Sequence, residues 1–381
     1  MEDIQIITLS KIKLFKIFLL YTYLGAMVFL LNGCGVADNV NSNSKEFTEK
    51  IVVYNDASSS DELTSMTINT TNIKIQEKKM QDNNILQKIR NKEKIPISIW
   101  MWEANEIHKN NIIQELSDLG IDVVYLNAGY EKDVKGNYIE TYPKEYNEFI
   151  KEAVKYNIKV QALFGTPEWT DTTYYNDLKE HVKLIFKYNK KYKNKFDAIH
   201  LDIEPHLYDK DMNELPDWGE HEEIRADYLN MYYENLNNIS KLIKLYNQKF
   251  NDDLKLVLDI PVWFKDETFI VKDKNIIELL IEIADELVIM NYTNNQSYFK
   301  AWGMDNLMVT DEYNEKLSQK TRVTIAMEYQ PDETMISLYY LSSEELNLYI
   351  QNSILEFKLY QSFHGLAIHD YKSYITYLSS K

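Results

Sequence analysis

From residue 95 onward, short runs rich in β-branched and aromatic residues alternate with longer segments whose apolar residues recur at helical spacing. The runs are 97–102, 123–127, 159–164, 198–204, 255–260, 287–292, 322–328 and 365–370. Between them lie 109–119, 143–156, 174–192, 221–250, 276–286, 311–320 and 343–360, each long enough for a crossover helix. Parallel strands require such crossovers, because a tight hairpin reverses the chain. Eight strand–helix units define the α/β class and predict a (β/α)8 TIM barrel over residues 95–381. An open doubly wound sheet is the main competitor, weakened because no glycine-rich phosphate loop follows the first run.

The pattern upstream is different. Lys11, Lys13 and Lys16 precede an apolar run over 17–31, followed by Leu31-Asn32-Gly33-Cys34 and a polar stretch. A basic flank, an apolar run and small residues read as an export signal. It resembles the bacterial lipoprotein signal, with leucine three residues before cysteine and a small residue just before it. The resemblance implies that residues 1–34 end in a lipidated Cys34, carrying palmitate and anchoring the chain at the extracytoplasmic face of the bacterial cell membrane. An uncleaved membrane anchor is the alternative, although the run falls short of the roughly 20 residues a spanning helix needs. Residues 35–94, rich in Asn, Ser, Thr, Asp and Lys, read as a polar tether. Short alternating pieces at 51–54 and 66–75 are candidates for a small β-element.

Composition narrows the partners. With 45% hydrophobic and 13% aromatic residues, including 29 Tyr, the chain can bury a sizeable core, which excludes disorder throughout. A net charge of −17 disfavours nucleic acid and anionic surfaces, since both require a basic patch. One cysteine forms no intramolecular disulfide, so packing alone must hold the fold.

Chemistry in such a barrel gathers at the C-terminal ends of the strands. Here those ends carry Trp100, Trp102 and Glu103, then Asn127, Asp202 and Glu204, Asp259, Asn291 and Tyr292, Glu328, and finally His369 and Asp370. The six tryptophans, Trp100, Trp102, Trp169, Trp218, Trp263 and Trp302, all fall at these ends or in the segments just after them. Flat indole faces suit sugar rings, and their segregation to one end predicts a carbohydrate cleft, although any single one can simply pack under a loop. The predicted substrate-binding set is Trp100, Trp102, Asn127, Trp169, His200, Asp259, Trp263, Asn291, His369 and Asp370, and the predicted partner is a polysaccharide or oligosaccharide.

The strongest local signal spans residues 196–206. Strand alternation puts His200, Asp202 and Glu204 on one face and Ile199, Leu201 and Ile203 on the other. A strand buried on both faces is ordinarily apolar, so this polarity is costly; structural ion pairing is one explanation and glycoside hydrolysis the sharper one. Hydrolysis needs a carboxylic acid to protonate the leaving oxygen and a second group to attack or stabilise the anomeric carbon. A neighbouring carboxylate keeps the acid protonated near neutral pH.

These residues resemble the family 18 glycoside hydrolases, the chitinases and their relatives, whose fourth strand carries Asp-x-x-Asp-x-Asp-x-Glu. This chain reads Asp197-x-x-His200-x-Asp202-x-Glu204, and Met290-Asn291-Tyr292 is similar to that family's Met-x-Tyr. The resemblance implies Glu204 as the acid, Asp202 as the group orienting a substrate N-acetyl, and Tyr292 as a holder of the reacting group. His200 stands in place of an aspartate, Phe164-Gly165-Thr166 in place of Ser-x-Gly-Gly, and His369-Asp370 in the tryptophan region. The chain also resembles the clan A retaining glycosidases. That second resemblance implies Glu204, before Pro205, as acid/base and Glu328 as nucleophile, with Ile203 where the clan has Asn.

A metal reading competes, because His200, Asp202, Glu204 and His206 alternate on one face. Same-face neighbours lie about 6.5–7 Å apart, so one strand rarely closes a shell. The acidic loop Asp209-x-Asp211-x-Asn213 with Glu220 has EF-hand-like spacing, but Glu214 occupies the glycine position, favouring a solvated loop over calcium. No metal site is assigned and no cofactor is required. The expectation is a retaining glycosidase acting outside the cytoplasm on a neutral or amino-sugar polysaccharide. The alternatives are a catalytically inactive carbohydrate-binding surface lipoprotein, a metal-dependent barrel hydrolase, and a scaffold whose polar rim is incidental.

Overall fold

The computed structural model describes residues 85–132, 138–210, 218, 222–266 and 270–381, all within one compact unit, Asn83–Lys381. Cys34, the apolar run 17–31, the pieces at 51–54 and 66–75, and Asp211, Asn213, Glu214 and Glu220 lie outside the described residues. Among the described residues no helix is long and apolar enough to cross a membrane.

Eight parallel strands close into a barrel in sequential order: β1 (Ile97–Met101), β2 (Val123–Asn127), β3 (Lys159–Phe164), β4 (Ala198–Leu201), β5 (Lys255–Pro261), β6 (Glu286–Met290), β7 (Arg322–Glu328) and β8 (Phe363–His369). Closure is made where Ile97, Ser98 and Ile99 of β1 pair with Leu366, Ala367 and Ile368 of β8. The predicted (β/α)8 TIM barrel is therefore the observed fold. Strands β2, β3 and β7 begin and end where the pattern places them. β4 stops at Leu201, short of residue 204, because the chain then turns into a short 3-10 helix at Pro205–Leu207.

The helices are α1 (Ile85–Glu93), α2 (Ile112–Asp118), α3 (Pro143–Lys155), α4 (Tyr175–Lys191), α5 (Glu222–Phe250), α6 (Ile276–Ile281), α7 (Gln296–Leu317), α8 (Ser343–Phe357) and α9 (Tyr371–Ser380). Local chemistry marks their ends. Ser342 and Glu345 form a reciprocal capping box at the start of α8, and Asn275 and Asn295 cap α6 and α7. Gly120, Asn157 and Asn251 take left-handed backbone just after α2, α3 and α5, turning the chain into the next strand.

Three departures have physical causes. α1 lies in the segment read as tether; its Ile89 is buried, Arg90 Nε donates to Asp122 Oδ2 at 2.8 Å, and Lys358 Nζ bonds the Glu93 carboxylate at 2.8 Å. α7 starts at Gln296 rather than 311, so Trp302 lies in a helix. Its buried face holds Phe299, Gly303, Asn306, Leu307 and Thr310, three of them not apolar, which hides the helical period. Gly303 is required there because a Cβ would meet Phe357 at 2.5 Å. α9 buries Tyr371, Tyr374, Tyr377 and Leu378, and tyrosine carries the period weakly.

The lumen is filled by Trp100, Val123, Tyr125, Leu163, Ala198, Val257, Val288, Ala326 and Ala367, with at least one residue from every strand. The large members come from β1 and β2, and alanines on β4, β7 and β8 leave them room. Trp102 and Tyr292 sit on this layer as its partly buried members.

Candidate active site

The lumen layer is the floor on which the candidate site is built. Strand parity sends residues 100, 102, 200, 202, 204, 259, 292, 328 and 369 inward, and the structure brings these predicted residues together. His200 is fully buried, its Nδ1 2.8 Å from Gln161 Oε1 and its Nε2 2.7 Å from Asp259 Oδ1. Trp100 Nε1–H donates to the other Asp259 oxygen at 3.3 Å. Trp100, His200 and Asp259 thus form a satisfied network below the cleft; they support the site from beneath rather than offering a surface to a ligand. With both His200 nitrogens engaged, the single-strand metal shell loses its first ligand. Among the described residues, no group of three or more His, Cys, Asp or Glu is arranged to hold a metal ion.

Asp202 and Glu204 lie just above this network. Asp202 Oδ1 is buried without a hydrogen-bond partner among the described residues, an uncommon and costly state for a carboxyl oxygen. Burial, then Glu204, then Asp259 push the Asp202 pKa well up. Burial and Asp259 likewise lift Glu204 to about 7, against the opposing pull of His369. The Glu204 side chain keeps 26% of its surface exposed, so its proton can reach a ligand, and His206 Nε2 lies 3.3 Å from Glu204 Oε2. His206 packs against Trp263 and Trp218, and burial drives its pKa down to about 3, which keeps it neutral.

On the opposite side, Glu328 is 3% exposed. Its Oε1 accepts from the Gln330 backbone N–H at 2.6 Å, and its Oε2 lies 2.7 Å from His369 Nδ1. The Trp102 indole N–H donates to His369 Nε2 at 2.9 Å, and the Tyr292 ring packs against His369 with centroids 5.6 Å apart. Asn127 does not face a ligand directly; its amide donates to the Trp102 carbonyl at 2.7 Å and so fixes the Trp102 backbone.

Three predicted binding residues point elsewhere. Trp169 is 1% exposed, donates to Asp177 Oδ2 at 2.9 Å and packs on Phe164 and His181, so it offers no free face. Asn291 has the opposite parity to Tyr292 and donates outward to the Phe299 carbonyl at 2.8 Å. Asp370 caps α9, accepting from Ser373 N–H at 2.9 Å. Conversely, sequence reasoning overlooked Gln161 and Tyr232. Gln161 is the one uncharged polar residue in β3, a signal that was available. Tyr232 lies on the long helix α5, and the field of Asp202, Asp259 and Glu204 on its buried hydroxyl is known only from the fold.

Gly165 carries a geometric constraint. A Cβ there would fall well inside contact distance of the Asp202 carbonyl, with the peptide carbon also too close. Gly165→Ala is expected to push the Asp202–Glu204 segment away, at about 1–3 kcal/mol in stability, with turnover reduced by about tenfold or more. Thermal melts and turnover of the variant check this, and unchanged values of both would contradict it.

No protein-family profile matches the chain, and no curated protein matches it. Among solved structures it is similar to a family 18 chitinase from Pseudoalteromonas aurantia, with 14% identity and a TM-score of 0.48 over 75% of this chain and 98% of that one. It is also similar to a family 18 N-acetylglucosaminidase from Paenibacillus barengoltzii, with 9% identity and a TM-score of 0.46 over 75% and 99% of the two chains. A third is a xylanase and α-amylase inhibitor protein from Scadoxus multiflorus, with 13% identity and a TM-score of 0.44 over 75% and 97%. The likeness is one of barrel fold.

Proposed function

We propose that this chain is a retaining glycoside hydrolase acting on a polymer of an N-acetylated amino sugar, with Glu204 as acid and base and Asp202 as the partner of the substrate acetamido group. The observation that carries this reading is the Asp202–Glu204 pair: one carboxyl partly exposed with a pKa lifted to about 7, the other holding a buried oxygen without a partner. Glu204 gives its proton to the glycosidic oxygen as the bond from that oxygen to the anomeric carbon breaks. The acetamido carbonyl oxygen bonds to the same carbon, and the amide N–H, growing positive, is held by Asp202. Water then adds at the anomeric carbon, the carbonyl oxygen leaves, and the Glu204 carboxylate takes the water proton. A nucleophilic role for Glu328 is disfavoured, because both its oxygens are engaged and it is almost wholly buried. Trp102 and Trp263 are the sugar-stacking candidates, and Cys34 is the proposed lipid anchor that keeps the barrel outside the cytoplasm.

The test is incubation of the full chain with oligomers of N-acetylglucosamine, of glucosamine and of glucose. Cleavage is expected only where the sugar at the bond carries an acetyl group, with retained anomeric configuration. The alkaline limb of kcat/KM should fall at about pH 7, where Glu204 loses its proton. Equal cleavage of glucose oligomers would overturn substrate assistance. Binding of all three without products would favour the inactive carbohydrate-binding protein.

A further inference from the structure

We propose that Glu328, His369 and Trp102 form a positioning chain that fixes the Trp102 indole as a sugar platform beside the acid pair, so that Glu328 acts through His369 and not on the substrate. This rests on the glycosidase reading above. Each link is a hydrogen bond: Gln330 N–H to Glu328 Oε1, His369 Nδ1–H to Glu328 Oε2, and the Trp102 indole N–H to His369 Nε2, at 2.6, 2.7 and 2.9 Å. The chain runs from a backbone amide to a side chain that is only partly buried, while its neighbour Trp100 is 1% exposed. Asn127 holds the Trp102 backbone independently. An indole pinned at both backbone and ring nitrogen has already lost the rotamer freedom that a loose tryptophan would lose on binding.

The last link also fixes a tautomer. An indole N–H can only donate, so Nε2 must present a lone pair and Nδ1 must carry the proton, which Glu328 accepts. Glu328 from β7, Asp259 from β5, Glu204 after β4, Glu333 after β7 and Asp370 next in the chain all act electrostatically with this ring, and the titratable Tyr292 ring after β6 packs on it. Burial disfavours the imidazolium, but Glu328 with Asp370 and Asp259 overrides it and lifts the His369 pKa to about 9. A second ring proton and the indole N–H therefore compete for Nε2. The hydrogen bond belongs to the neutral ring, so the platform is held above about pH 9 and released as pH falls through that value.

The full chain labelled with 15N-tryptophan tests this without any sugar. The Trp102 indole signal, assigned by its loss in Trp102→Phe, is expected to be downfield and slow to exchange at about pH 10, and to shift as pH is lowered through about 9. His369→Phe, which keeps ring shape without nitrogen, should abolish those features; His369→Gln, which keeps an acceptor, should restore them at least in part. An indole signal unmoved by His369→Phe overturns the chain. Binding of N-acetylglucosamine oligomers at about pH 10, where the ring is neutral, is expected to weaken about tenfold in His369→Phe, and His369→Gln to recover most of the loss. A fall in kcat of about 10³-fold in Glu328→Gln, rescued by azide, would make Glu328 the nucleophile and overturn the proposal. If the indole behaves as expected and the wild-type chain binds none of these oligomers, the platform and the glycosidase reading fail while the hydrogen-bonded chain stands.

Discussion

Glu204→Gln is expected to lower turnover about 10²–10⁴-fold while leaving oligosaccharide affinity within a few-fold, the range for removing a general acid whose size is conserved. The glutamine has no proton to give to the departing oxygen and no carboxylate to receive one from water, so both halves of the reaction suffer. The same substitution should stabilise the fold at neutral pH. The Glu204 pKa is about 7 in the fold against an ordinary 4.5, so between these values the native state binds more protons than the unfolded chain. Stability therefore falls as pH rises through that window and stays lowered above it. A neutral glutamine lacks this penalty. Its melting temperature should exceed the wild type at pH 8 by a few degrees, the scale of about 1 kcal/mol in a large domain, and match it below about pH 4.5. Full activity of Glu204→Gln on a cleaved substrate would refute the assignment.

Asp202→Asn is expected to cost about 10²–10³-fold in kcat on N-acetylated oligomers, the range for removing one preorganised group that meets developing charge. Asparagine fills the same space but offers only a neutral carbonyl oxygen to an amide nitrogen turning cationic, and it cannot ionise in response to that charge as a carboxyl can. Glu328→Gln, by contrast, should change kcat by less than about tenfold, since that side chain serves to hold His369. Single-turnover measurement of all three variants on one oligomer checks the order. A larger kcat loss in Glu328→Gln than in Asp202→Asn would reverse the mechanism.

The barrel was legible because its signal is redundant: eight apolar runs with crossover segments between them leave few topologies open, and an error of two residues at a strand end changes nothing. The site was partly legible for the same reason. Alternation along 198–204 placed His200, Asp202 and Glu204 together without any knowledge of the fold. What misled was treating every polar residue at a strand end as facing the cleft. Asn291 and Asp370 sit one position off the inward parity and serve α7 and α9 instead. Trp169 lies past the end of β3, where no parity applies, and there tertiary packing decides. The roles of Gln161 and of Glu328 depend on distances between strands, which no pattern along one chain contains.

The uneven filling of the barrel interior bears on how such a chain diverges. Trp100 and Tyr125, on adjacent strands, take much of the lumen, and Ala198, Ala326 and Ala367 on three other strands leave them room. What selection can hold constant in this arrangement is a sum of volumes, not any single residue. A lineage that shrinks position 100 must enlarge one of the alanine positions, and a lineage that enlarges an alanine must trim an aromatic. Such exchanges conserve the shape of the interior while erasing identity one position at a time. Trp100 is bound by a second condition, because its indole N–H also holds Asp259 under the acid pair. Drift at that position therefore alters the electrostatics of the cleft as well as its floor, so Trp100 should change more slowly than the alanine positions around it.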